Sequence, residues 1–163
     1  MSNIKSILDK FCYILKWIAG ILLLAMLAIT FIQVVLRYVF KNPFSWAEEV
    51  TLAMLIWFGY ITIALVVRED EHMAIGFLYN MSGKKMRLLL DSVRHILMIF
   101  FSVLMAKYGA EMINNALGKV LPASKISRSL LYVPFMLSGI LIALFSLIHL
   151  INLFIQLQDK EGI

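Results

Sequence analysis

Two groups of side chains in this 163-residue sequence have types and spacing that invite chemistry: His95 with His149, and the run Arg37 to Glu49, RYVFKNPFSWAEE. The two imidazoles fall toward the same end of two apolar stretches. Facing each other in a membrane helix bundle, they would suit a b-type haem or a quinone-reactive anchor. The competing reading is a pair of packing histidines, because no second pair exists to carry electrons across a bilayer. Other chemistries find no residues: there is no GxSxG, no HExxH, no glycine-rich phosphate loop and no His/Asp cluster. The single Cys12 excludes an intrachain disulfide or a cysteine zinc cluster. Nothing here assembles an enzyme's active site.

The run from Arg37 to Glu49 has more structure to it. Ser45-Trp46-Ala47-Glu48 fits a capping box, with the Ser45 hydroxyl on the Glu48 N–H and the Glu48 carboxylate returning to the Ser45 N–H. Pro43 helps to stop the preceding helix, and both glutamates sit at the positive end of a helix dipole. Glu49 is left over from the cap. It faces the side of Ala53 and Trp57, and Arg37 is its nearest candidate partner in sequence. A solvated acid beside a headgroup-binding arginine, an ion pair clamping two helices and a contact to another subunit all fit those residues.

These residues must be positioned by helices in lipid. The chain is 62% hydrophobic with mean hydropathy +0.90 and 15% charged residues, a composition whose solvent is mostly hydrocarbon. The uncharged runs Trp17 to Leu36 and Val50 to Val67 each approach the length that crosses about 30 Å of hydrocarbon. Four spans are expected, at about 13–40, 46–67, 88–114 and 129–157, forming one membrane domain over 1–163. The first is read as a retained span, since no small-residue cleavage site closes it. The third has the shortest uncharged core, Ile96 to Ala106, with Lys107 placed to snorkel and Glu111 one turn on to pair with it. Met73 to Met81, flanked by His72 and the basic Lys84, Lys85 and Arg87, suits a short amphipathic helix lying in the interface. The fold class is therefore an all-α integral membrane protein.

Lys and Arg set the orientation. Lys5, Lys10, Lys16, Arg68, Lys84, Lys85, Arg87, Arg94 and Lys160 fall on one side, against Arg37, Lys41, Lys107, Lys119, Lys125 and Arg128 on the other. The majority side holds both termini and is expected to be cytoplasmic. The pI near 9.4 points to anionic lipid headgroups rather than nucleic acid, because these cations lie at the ends of hydrophobic runs. Met26, Thr30, Gln33 and Arg37 form a polar stripe on span one, and Gly139, Ala143 and Ser146 a small-residue ridge on span four. Both faces suit helix packing rather than lipid. Spans one, two and four hold no internal acid, so a cation-coupling site is hard to assemble from this chain alone.

The succession VVLRYVF, PFSWAEEV, IWFGYITIAL and RxxxHMAI resembles the small membrane subunit of tripartite ATP-independent periplasmic (TRAP) transporters, the DctQ-like family. The resemblance covers nearly the whole chain in order, and Gly59 after Trp57 and Phe58 also matches. Asp70 and Glu71 depart from the family's glycines before the histidine. The resemblance implies a bacterial inner-membrane complex and no enzyme activity. A large elevator-type membrane subunit carries an organic acid, such as sialic acid or a dicarboxylate, with sodium ions, and a periplasmic substrate-binding protein delivers it. This chain would scaffold the large subunit and support docking of the binding protein, with no cofactor and no substrate site of its own. Arg37, Trp46, Glu48, Glu49 and His72 match the recurring motif. Arg37, Trp46, Glu49, Trp57 and His72 are the candidates for a subunit interface or helix clamp.

Overall fold

The computed structural model describes residues 2–41, 44–69 and 84–161. The expectations for His72 and for an interfacial helix over 73–81 lie outside the described residues. Four long helices account for most of the rest: α1 (Ser2–Tyr38), α2 (Ser45–Glu69), α3 (Lys84–Ala116) and α4 (Val133–Glu161). Each contains a stretch long and apolar enough to cross a membrane, Leu8–Tyr38, Ser45–Arg68, Leu89–Ala116 and, including a preceding turn, Arg128–Ile151. The protein is an all-α, multi-pass membrane protein. Helices satisfy every backbone N–H and C=O within the segment, which is what hydrocarbon demands.

The helix ends refine the expected spans. α1 starts at Ser2 rather than near residue 13, because the charged N-terminal segment keeps one apolar side: Leu8, Cys12 and Leu15 all pack on the core. α4 starts later than residue 129, since Arg128–Leu131 forms a 3₁₀ turn and Pro134 then occupies the first turn of the α-helix, where its missing N–H costs nothing. Residues 117–127 link α3 to that turn. Gly118 adopts φ +75°, and its neighbours close the end of α3 through Leu117 N–H to Asn114 O and Lys119 N–H to Ala116 O. The linker then doubles back as a small hairpin, with Val120 bridged to Ser127, Leu121 N–H donating to Ile126 O at 2.9 Å and Arg128 N–H to Lys119 O at 2.9 Å.

The helices stand in a row. α1 packs on α2, α2 on α4 and α4 most extensively on α3; among the described residues no extensive contact returns from α3 to α1. The core is correspondingly narrow, made of Cys12, Ala64, Leu65, Val67, Ile142 and Phe145 where α1, α2 and α4 meet. Outside it the row shows broad apolar faces, including Trp17, Leu24, Phe31, Phe100 and Phe101.

Without an aqueous driving force between helices, close packing depends on small residues. The α3–α4 seam is built that way. A Cβ at Gly139 would lie 2.9 Å from both Ala106 N and Ser102 O, and one at Gly109 would lie 2.9 Å from the Met136 Cβ. Ser102, Ser138 and Ser146 are buried in the same seam, and the first two turn their hydroxyls to Ile99 O and Phe135 O of their own helices. The ridge expected on α4 is thus its packing face toward α3.

Because the obstacle at Gly139 is backbone, it cannot move aside as a side chain would. Gly139→Leu should cost about 1–3 kcal/mol from overpacking and lower the midpoint of thermal unfolding in detergent. Gly20→Ala, with nothing within 4 Å of the added Cβ, should be neutral or slightly stabilising.

Candidate functional site: polar clamps at the two ends of the row

The start of α2, the end of α1 and the α3–α4 linker meet at one end of the row. Here Glu49 is the centre. Its carboxylate accepts the Ala123 N–H at 3.1 Å, the Ser124 N–H at 2.7 Å and the Ser124 hydroxyl at 2.6 Å. A carboxylate on two consecutive backbone donors and a hydroxyl makes a charge-assisted set, stronger and more directional than neutral bonds. Lys125, in the next position, adopts φ 58°.

Of the partners open to Glu49 from the sequence, the linker is the one it meets. Arg37 lies exposed in the last turn of α1, and the Glu49 oxygens are taken by the linker instead. Glu48, expected in a capping box with Ser45, has a partner on another helix. α2 begins at Ser45, Ala47 N–H donates to Phe44 O at 3.1 Å, and the Glu48 carboxylate accepts from Gln33 Nε2 of α1 at 3.2 Å rather than returning to Ser45. Glu48 therefore ties α1 to α2. Thr30, on the same stripe as Gln33, bonds back to Met26 O at 2.8 Å within its own helix.

Two tryptophans complete this end. Trp57 donates its indole N–H to Leu130 O at 3.1 Å, fixing the 3₁₀ turn on the flank of α2, and Tyr60 meets Phe135 edge-on at 5.4 Å one turn deeper. Trp46 is exposed and stacks on Phe44, with ring centroids 5.8 Å apart. Glu49 and Trp57 thus hold the α3–α4 hairpin to α2, while Arg37 and Trp46 project from the row. Lys107 lies over the Tyr108 ring at 5.7 Å rather than against Glu111.

The opposite end has its own clamp, which the spacing showed only in part. Arg68 at the end of α2 pairs with Asp9 of α1 and lies over the Phe145 ring of α4 at 5.6 Å. The backbone carbonyl of Arg68 accepts from His149 Nε2 at 3.2 Å. His149 in turn stacks on buried His95 of α3, the rings 5.4 Å apart and 5° from parallel. Arg94 lies 3.9 Å from Asp91 and 3.5 Å from His95 Nε2. Side chains from all four helices join in one connected group.

The imidazoles do meet, as their depth implied, but not as haem ligands. Bis-imidazole ligation needs two ring nitrogens turned to each other across a macrocycle. Here the rings lie parallel, one Nε2 faces the Arg68 carbonyl and the other faces Arg94. The arrangement suits locking helices together and does not fit a haem. Among the described residues, no group of three His, Cys, Asp or Glu side chains is placed to hold a metal ion.

Comparisons with known proteins agree with this architecture. The family model for the DctQ component of tripartite ATP-independent periplasmic transporters matches residues 26–156. A putative TRAP transporter small permease protein of Haemophilus influenzae is 26% identical over 131 residues, covering 80% of this chain and 81% of that protein. The sialic acid TRAP transporter permease protein SiaT of H. influenzae is 30% identical over 101 residues, 62% of this chain but only 16% of that longer protein. The C4-dicarboxylate TRAP transporter small permease protein DctQ of Vibrio cholerae is 30% identical over 81 residues, half of this chain and 35% of that protein.

Two substitutions test the loop-end clamp. Trp57→Phe removes only the indole donor and should cost about 1 kcal/mol, the usual net value of one such bond, seen as a lower unfolding midpoint. In Glu49→Ala, hydrogen exchange at the Ala123 and Ser124 amides should accelerate several-fold while the middle of α3 keeps its protection. Unchanged exchange at both amides would show that the carboxylate does not hold the linker.

Proposed function

This chain belongs to the DctQ family, the small permease component of tripartite ATP-independent periplasmic transporters, and we propose that it serves as a scaffold without a substrate site of its own. It is a transporter subunit and not an enzyme. In this reading it associates with a large elevator-type membrane subunit in the bacterial inner membrane, and both its termini are cytoplasmic. The large subunit carries an organic acid driven by sodium ions, and a periplasmic binding protein docks on the assembly. The names of the relatives put sialic acid and C4-dicarboxylates among the substrates to test first.

The observation that carries the proposal is how the polar groups are used. The Gln33–Glu48 bond, the Glu49–Ser124 bonds, the Trp57–Leu130 bond and the Asp9–Arg68–His149–His95 group all fasten helix to helix, at the two ends of the row. Among the described residues no acidic side chain lies midway along any of the four spans, where a coupling cation would need one. What the row offers instead is rigidity and wide apolar faces at a fixed depth. Those are the properties a fixed frame needs if a neighbouring subunit is to slide against it.

Arg37 and Glu49 then have separable roles. Arg37→Ala should leave the unfolding midpoint of the isolated chain unchanged and lower the yield of co-purified large subunit. Glu49→Ala should lower uptake by loosening the linker. Neither should alter the ranking of substrates in transport assays on cells. Normal uptake and normal co-purification in both variants would overturn the assignment of these residues, and a changed substrate ranking would overturn the scaffold role.

A further inference from the structure

Where α3 ends and the linker hairpin begins, the surface opens into a cleft of about 160 Å³ lined by Met112, Asn115, Ala116, Lys119, Arg128 and Tyr132. One water needs only about 10–15 Å³, so the cleft has room for a much larger group. Its lining combines two cations, an amide and a phenol with an apolar floor, and contains no carboxylate. The backbone brings the two cationic residues together. Arg128 N–H donates to Lys119 O at 2.9 Å and the Val120–Ser127 bridge lies just beyond, so the hairpin sets the two residues side by side. The nearby carbonyls at the end of α3, Asn114 O and Ala116 O, already accept from Leu117 and Lys119 N–H, which reduces their repulsion of an anion. Glu49 is not among the lining residues and is engaged by Ala123 and Ser124.

We propose that this cleft binds the phosphodiester of an anionic glycerophospholipid in the leaflet at the linker end of the row. Lys119 and Arg128 take the phosphate oxygens, Arg as a planar fork and Lys as a point charge. Asn115 and Tyr132 supply further hydrogen-bonding groups for the glycerol and headgroup. The cleft lies where two membrane-spanning segments, Leu89–Ala116 and Arg128–Ile151, end and begin, and the ends of such segments are where headgroups are met. Exposed apolar residues accompany the cations, Met112 on the lining and Leu117 and Leu130 close to them in sequence. A free anion would have no use for that apolar margin. Two protein cations exceed the charge of one phosphodiester, so a headgroup with net negative charge is favoured over a zwitterion carrying its own ammonium.

Native mass spectrometry of the purified full-length chain, titrated with phosphatidylglycerol or phosphatidylethanolamine, tests this. The expected result is one phosphatidylglycerol retained per chain, preferred several-fold over phosphatidylethanolamine and not displaced by millimolar inorganic phosphate. The Lys119→Gln/Arg128→Gln variant, checked for unchanged helical content, should lose that preference, and Lys107→Gln should keep it. Lys119→Gln alone should weaken it if the double variant does not fold. Equal retention of the two lipids by the unmodified chain would overturn the proposal. So would undiminished phosphatidylglycerol binding in the folded variants, and displacement by inorganic phosphate would assign the cleft to a free anion instead.

Discussion

The grip of the Glu49 carboxylate on Ala123 and Ser124 sets the height of the α3–α4 hairpin against α2, and much of the loop end of the molecule follows from it. With the linker fixed, Leu130 O meets the Trp57 indole and Tyr60 meets Phe135. Hydrophobic matching would not set this register, since lipid tails compete equally well for the apolar faces. A few polar contacts with definite geometry do so. At the other end Arg68 has the corresponding task, with Asp9 on one side and His149 on its carbonyl.

The two clamps explain why a row of helices holds together with so small a core. Between the clamps, the α3–α4 seam relies on Gly109, Gly139 and buried serines, and the α1–α2–α4 junction on Cys12, Ala64 and Phe145. Such a row leaves both faces largely apolar. In a solitary protein of this size a closed bundle would bury more surface. An open row makes sense when other helices, or lipids held in place, cover part of it.

The four spans are legible in the sequence because charge is so costly in hydrocarbon that uncharged runs delimit them. The meeting of His95 and His149 is legible as well, because both lie at one depth. The order of helices in the row is not, since each helix is apolar on several sides and no stripe names its neighbour. Proximity in sequence points Glu49 to Arg37, whereas its partners lie 74 and 75 residues away and are backbone N–H groups and a hydroxyl, which residue types do not announce. The local pattern around Ser45 assigns Glu48 to a cap, yet Gln33 across the α1–α2 turn competes for it. The Asp9–Arg68 pair escapes sequence reasoning because the uncharged run suggests a span beginning after Asp9. The helix in fact continues to Ser2 and carries Asp9 beside the end of α2. Local signals locate the elements, and long-range polar contacts decide how they lock.

As a proposed scaffold, this chain acts by holding a partner and not by moving a substrate. A tagged copy recovered from native membranes in mild detergent tests it most directly, with the co-purifying proteins identified and the isolated chain assayed in proteoliposomes. The expected result is a co-purifying membrane protein with many more spans and no organic-acid uptake by the isolated chain. Recovery of the chain alone, together with sodium-dependent uptake by the chain alone, would contradict it.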